Sequence, residues 1–220
     1  MIIAIDGPAG SGKTTVGRLV AEQLHLRLVD TGLYYRAVTV EARRRGIAAV
    51  DVSALAGLLS EIRIELNTEP GSGQAQVRVD GRDVSDQAVD PAIAGQLARI
   101  SQIPEVRRLL IQPQRESAGS EAVVLGRDIG TVIFPQADVK FFFTAPAAER
   151  AARRRRELDR SRGSATPDDV LEQEIDARDR ADSERETAPL RAAPDAIIVA
   201  TEGKSVRQVF DEVMRRLPKH

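Results

Sequence analysis

The chain has 220 residues, 42% of them hydrophobic and 30% charged, which predicts one compact domain over residues 1–220, with small appended lobes. Thirty-two Lys and Arg against 33 Asp and Glu leave a net charge of −1, which argues against any general attraction to nucleic acid. The absence of cysteine removes disulfides, thiol nucleophiles and Cys-zinc sites, and two histidines, His25 and His220, are too few for a multi-His metal site.

The first residues, Met1-Ile2-Ile3-Ala4-Ile5-Asp6, lack the basic start and long apolar run of a secretory leader, and no 18-residue apolar stretch follows. A cytosolic protein without a membrane partner is the expectation. Ile2 to Asp6 reads as a buried strand, the glycine-rich run Gly7-Pro8-Ala9-Gly10-Ser11-Gly12 as a loop, and Val16, Leu19, Val20 and Leu24 as one helix face. Short apolar runs at Arg27 to Val29, Ala122 to Leu125, Val139 to Phe143 and Ala196 to Val199 alternate with helical pattern, which predicts an α/β fold with a parallel sheet covered on both faces. Glu41 and the arginines 43 to 45 read as solvated helix surface, and Tyr34 and Tyr35 as wall or core.

Two regions interrupt this alternation. Ile62 to Leu66, Ala75 to Val79 and Asp83 to Val84 are β-like pieces around Pro70-Gly71-Ser72-Gly73 and Asp80-Gly81, so a small β-rich lobe is expected within 60–100. Pro104 opens a helix that Pro113 should break or kink. Between positions 150 and 162 there are seven arginines, and between 168 and 186 nine acids against three arginines. Gly163 should end the first of these helices and Thr166-Pro167 begin the second. Arg153 to Arg156 cannot all face one ligand, since successive helical residues point about 100° apart. The last helix shows a capping box, Ser205 with Gln208, ahead of an apolar stripe from Val206 to Leu217.

Gly7-Pro8-Ala9-Gly10-Ser11-Gly12-Lys13-Thr14 matches G-x-x-x-x-G-K-[ST] between a strand and a helix. Glycines let consecutive amides turn onto phosphate oxygens, the helix N-terminus adds positive potential, Lys13 bridges β- and γ-phosphates, and the Thr14 hydroxyl suits Mg²⁺. Nucleoside triphosphate binding follows. The guanine-reading Asn-Lys-x-Asp of a GTPase is absent, and an inserted lobe with an Arg-rich helix suits a kinase of small phosphorylated metabolites. Two other readings fit the loop: a kinase for another acceptor such as UMP, and a non-catalytic nucleic-acid-binding NTPase using the Arg-rich helix.

Five segments in order resemble the bacterial cytidylate (CMP/dCMP) kinases of the P-loop nucleoside monophosphate kinase family: GPAGSGKTT from Gly7 to Thr15, DTGLYYR from Asp30 to Arg36, GRDV from Gly81 with IPEVR from Ile103, GRDIGTVIFP from Gly126, and Arg178-Asp179, Asp182, Arg185 with Ala188-Pro189-Leu190. The resemblance implies an adenylate-kinase-like fold, with a five-stranded parallel sheet, an acceptor-binding insert at 60–100 and a helical lid at 146–166. It implies ATP and Mg²⁺ as co-substrate and cofactor, CMP or dCMP as acceptor, and a monomer. By position, Gly7, Gly10, Ser11, Gly12, Lys13, Thr14 and Thr15 would hold ATP. Asp30 lies in the acceptor element, and Thr31, Arg36, Arg127 and Arg185 would hold the acceptor phosphate. Arg107 and Asp128 would read cytosine, Arg178 and Asp182 contact the sugar, and Arg153 and Arg154 serve as lid arginines. Arg178, Asp182 and Arg185 share one helix face, which also suits an ordinary salt-bridged surface. Ala98 stands where the family often has a base-contacting serine, and Ala88-Val89-Asp90 where it has Ile-Arg-Thr.

Overall fold

The computed structural model describes residues 1–67, 76–162 and 168–218, with side chains described outside 157–168. The expected Pro70-Gly71-Ser72-Gly73 turn, the helix stop at Gly163 and the helix start at Thr166-Pro167 lie outside these residues.

In chain order, β1 (Ile2–Asp6) leads through the glycine loop into α1 (Lys13–Leu24), then β2 (Arg27–Asp30), α2 (Gly32–Arg44) and α3 (Val52–Glu61). The insert carries β3 (Ile64–Leu66), β4 (Val77–Val79) and β5 (Arg82–Asp83), paired antiparallel, then α4 (Ser85–Ala88) and α5 (Ala94–Ile100). The main layer resumes with α6 (Pro104–Ala118), β6 (Ala122–Gly126), a π-helical turn over Ile129–Ile133, β7 (Val139–Thr144), α7 (Ala147–Arg162), α8 (Asp168–Glu184), β8 (Ile197–Ala200) and α9 (Val206–Arg216).

The main sheet runs β2-β6-β1-β7-β8 with every neighbouring pair parallel. All five C-terminal strand ends therefore emerge at one edge, so Gly7, Thr31, Arg127, Ala145 and Thr201 are gathered from five distant places in the sequence. Alternation along β1 divides the core. Ile3 and Ile5 pack with Val16 and Val20 of α1 and with Val209, Phe210 and Val213 of α9. Ile2 and Ala4 face the opposite side, with Ala118 of α6 and Ile129 and Ile133 of the π-helical turn. Burial on both faces is why these strands are continuous apolar runs rather than alternating ones. The Ser205–Gln208 capping box forms as expected at the start of α9.

Two expectations are corrected. Helix α6 runs unbroken through Pro113. Val106 and Leu110 bury one of its faces against α2, α3 and α5, and the Tyr34 hydroxyl donates to the Pro113 carbonyl at 2.8 Å, so packing outweighs the missing amide. Glu41 is not solvated surface. It is buried in α2, accepts from Arg44 on its own helix, from Arg45 just past the helix end and from Arg82 Nη2 on β5 at 2.7 Å, and so ties the insert to the main body. These guanidiniums, Arg44 first, hold its carboxyl down at about 2 despite burial. Among the described residues no helix is long and apolar enough to cross a membrane.

Candidate active site

The glycine loop is shaped by close backbone approach. Gly7 has φ 145°, and a Cβ there would collide with the Phe143 carbonyl on β7. Lys13 is buried, and its ammonium donates to the Gly7 and Pro8 carbonyls at 2.7 and 2.6 Å. Burial, and then the charge of Arg127, push its pKa well below that of a free lysine. Ser11 is fully buried, Gly12 turns the chain into α1 with φ 91°, and Thr14 and Thr15 present exposed side chains on the first helical turn.

Beside Lys13, helix α2, the end of β6 and helix α8 bring together Arg36, Arg127 and Arg178. Burial lowers the pKa of Arg178 to about 10, with Arg127 the next cause and Arg36 also contributing. Arg36 is lowered by burial and by Arg154 and Arg127, while Asp30 opposes. These mutual effects mark a convergence of cations around Lys13, a low-dielectric site suited to polyanionic phosphate. Arg36 also donates to the Ala88 carbonyl at 2.6 Å, which connects α2 to the insert. Thr31 is buried with its hydroxyl on the Leu125 carbonyl at 2.8 Å, and Asp30 accepts from the Gly32 amide at 3.0 Å, capping α2.

Beside this cluster lies a buried network that joins three elements. Arg107 of α6 donates from Nη2 to an Asp128 carboxylate oxygen at 2.7 Å and from Nη1 to the Ser101 carbonyl at 3.0 Å, and its guanidinium lies 5.2 Å from the Tyr35 ring centroid. Asp182 of α8 accepts from Arg127 at 3.2 Å, Arg185 at 3.2 Å and Gln102 at 3.1 Å. Asp182 and Arg185 are thus buried in this network, with Arg185 one residue beyond the end of α8, whereas Arg178 keeps much of its surface open to solvent. Among the described residues Arg107 Nε and Arg185 Nη2 are buried donors without a hydrogen bond, Arg185 Nη2 lying 3.8 Å from an Asp128 carboxylate oxygen. A cleft of about 280 Å³, with Arg107, Ile111, Asp128, Val132 and Ala188 in its wall, opens at the Arg107–Asp128 pair.

The Arg-rich helix sits differently from a row of equivalent cations. Arg153 is held by Glu149, by the Thr201 hydroxyl and carbonyl and by the Gly10 carbonyl, which fastens α7 to the glycine loop. Arg154 is the member whose charge reaches Arg36. Arg150, not singled out by the sequence, donates to the Ala9 and Ala145 carbonyls and pairs with Asp179 at 2.5 Å. Also missed was Asp6, whose two carboxylate oxygens accept from the Ile129 and Gly130 amides at 2.8 Å each. Its only sequence signal is an acid closing an apolar strand. Thr201, which joins β8 to the glycine loop through the Ser11 carbonyl, carried no signal.

A family model described as "Cytidylate kinase" matches residues 3–219. The chain is 45% identical over 213 residues to a cytidylate kinase of Geobacillus kaustophilus, covering 96% of this chain and 94% of that one. It is 40% identical over 216 residues to the cytidylate kinase of Symbiobacterium thermophilum, covering 98% and 95%. It is also 44% identical over 218 residues to a bifunctional pantoate ligase/cytidylate kinase of Synechococcus elongatus, of whose length it spans 41%. With the glycine loop, the convergent arginines and the Arg107–Asp128 pair all within the matched region, the chain belongs to the cytidylate kinase family.

Proposed function

We propose that this chain transfers the γ-phosphoryl group of ATP to CMP or dCMP, giving ADP and the nucleoside diphosphate. The observation that carries the reading is the buried Arg107–Asp128 pair next to an arginine cluster and across from the glycine loop. A carboxylate in that position accepts from the cytosine amino group, and the unpartnered Arg107 Nε supplies a donor for the base's acceptor edge. Arg36, Arg127 and Arg185, with Thr31, hold the acceptor phosphate. Asp182 and Arg178 reach the sugar, and Asp30 orients the turn that carries Thr31.

The donor side follows from the loop. The amides of Gly10, Ser11 and Gly12 turn toward the phosphates, and Lys13 exchanges the Gly7 and Pro8 carbonyls for β- and γ-phosphate oxygens. Among the described residues no group of three or more His, Asp and Glu could hold a metal by itself, while the Thr14 hydroxyl is exposed beside the loop. These residues fit a Mg²⁺ ion that would enter with ATP and be held by the Thr14 hydroxyl, where it would supply neutralisation of phosphate charge. The acceptor phosphate is anionic at neutral pH, so the transfer needs no protein base. Positioning and charge neutralisation by Lys13, Arg127 and Arg154, with Arg153 holding α7 on the loop, supply the catalysis. The chain works as a cytosolic monomer, with no nucleic acid or membrane partner.

Phosphoryl transfer assayed with ATP and CMP, dCMP, UMP, AMP or GMP tests the reading. CMP and dCMP should exceed the other acceptors in kcat/KM by about 10²-fold or more, and equal turnover of UMP would overturn it.

A further inference from the structure

We propose that Asp6 is a positioning residue for phosphoryl transfer, a carboxylate at the end of β1 that fixes the acceptor-reading turn Arg127-Asp128 relative to the glycine loop. The inference rests on the reading above and adds a residue that contacts neither nucleotide. The geometry carries it. Asp6 is the last residue of β1 and is followed directly by Gly7, whose approach to the Phe143 carbonyl fixes the chain there. Asp6 is 4% exposed, and its carboxylate spans two successive amides, Ile129 on Oδ1 and Gly130 on Oδ2, both at 2.8 Å.

Those amides begin the π-helical turn that Asp128 precedes, so they lack intrahelical partners, and a side chain from a strand more than 120 positions away supplies them. Arg127 and Asp128 are thereby held from the donor side of the site. A rigid link of this kind matters because transfer requires the reacting atoms within about 3–3.5 Å in line, and a misplacement of about 1 Å costs roughly 10²-fold in rate. The charges that act on Asp6 include the Asp128 carboxylate and the Lys13 ammonium; Lys140, on the neighbouring β7, packs its aliphatic stem on Gly130. Burial raises the Asp6 pKa to about 6, against the pull of both amides.

Asp6→Asn keeps the size of the side chain but turns one acceptor into an NH2 that faces an amide hydrogen. Expected is a fall of about 30-fold or more in kcat/KM for CMP and a CMP-to-UMP preference reduced by about fivefold or more, since the base-reading carboxylate shifts. ATP affinity measured without acceptor should change by less than about twofold, because the loop amides are untouched. An unchanged CMP-to-UMP ratio, or an ATP affinity weakened as much as that for CMP, overturns the proposal.

A measurement on the unaltered protein covers a variant that fails to fold. The amide resonances of Ile129 and Gly130 should move together with one midpoint near pH 6, as the carboxyl that they donate to takes up a proton. Resonances of Ile129 and Gly130 that stay flat from pH 3 to 8, or that move with different midpoints, overturn the proposal. This readout is independent of turnover, so a chain that phosphorylates some other acceptor would refute the proposed activity while leaving the Asp6 link testable.

Discussion

Asp128 and Arg107 lie 2.7 Å apart with both side chains buried, although they are 21 residues apart on different elements. The Arg107 guanidinium also lies over the Tyr35 ring, so the group that holds the carboxylate is itself fixed from two sides. Replacing it separates two roles. If it reads the base, Asp128→Ala lowers kcat/KM for CMP by about 10²-fold and leaves UMP much less affected, because uracil presents a lone pair where cytosine presents an amino group. A metal role would give equal losses for both acceptors, repaired in part by added Mg²⁺. Steady-state kinetics on both acceptors distinguish them.

Lys13→Ala should lower kcat by roughly 10²-fold or more, since no other lysine lies in the glycine loop. Removing the ammonium also relieves repulsion from Arg127 in the free protein. The thermal midpoint should therefore hold or rise while turnover collapses, and calorimetry beside a rate assay checks the opposite signs.

Arg150 bridges the glycine loop, the β7–α7 connection and Asp179 of α8. Arg150→Ala leaves the Asp179 carboxylate half-buried without its cation and should cost about 3 kcal/mol of stability. The KM for ATP should rise more than that for CMP, because Ala9 belongs to the donor loop. Denaturant unfolding and the two KM values test this, and a larger effect on CMP would contradict it.

Glu41 gives a pH signature. Its folded pKa of about 2 lies below the ordinary 4.5, so the stability it contributes is fully present above pH 4.5 and is lost as pH falls toward 2. The stability difference between the protein and Glu41→Gln should be roughly 2–3 kcal/mol at pH 6 and shrink toward zero near pH 2. A difference that stays constant with pH would remove the carboxylate's charge as the cause.

These residues also mark what the sequence could and could not convey. The strands of the main sheet were legible because burial on both faces forces uninterrupted apolar runs, and the glycine loop because its chemistry demands a fixed spacing. Glu41 was misread because its apolar surroundings and its Arg82 partner arrive from the insert, 41 positions away, while its local neighbours are three arginines. Pro113 was misread for a related reason, since local stereochemistry argues for a break and the tertiary contacts of α6 decide otherwise. The Asp6 link spans more than 120 positions and joins a carboxylate to main-chain amides, which leave no mark on the side-chain pattern.

The convergence of Lys13, Arg36, Arg127 and Arg178 has a consequence for the protein's survival as well as its chemistry. Mutual repulsion among cations held this close loads the empty enzyme with a penalty that any bound phosphate relieves. A bound nucleotide should therefore act as a structural counter-ion: at 100 times its dissociation constant a ligand adds about 2.7 kcal/mol to folding stability. Resistance to limited proteolysis should then rise with added ATP or CMP.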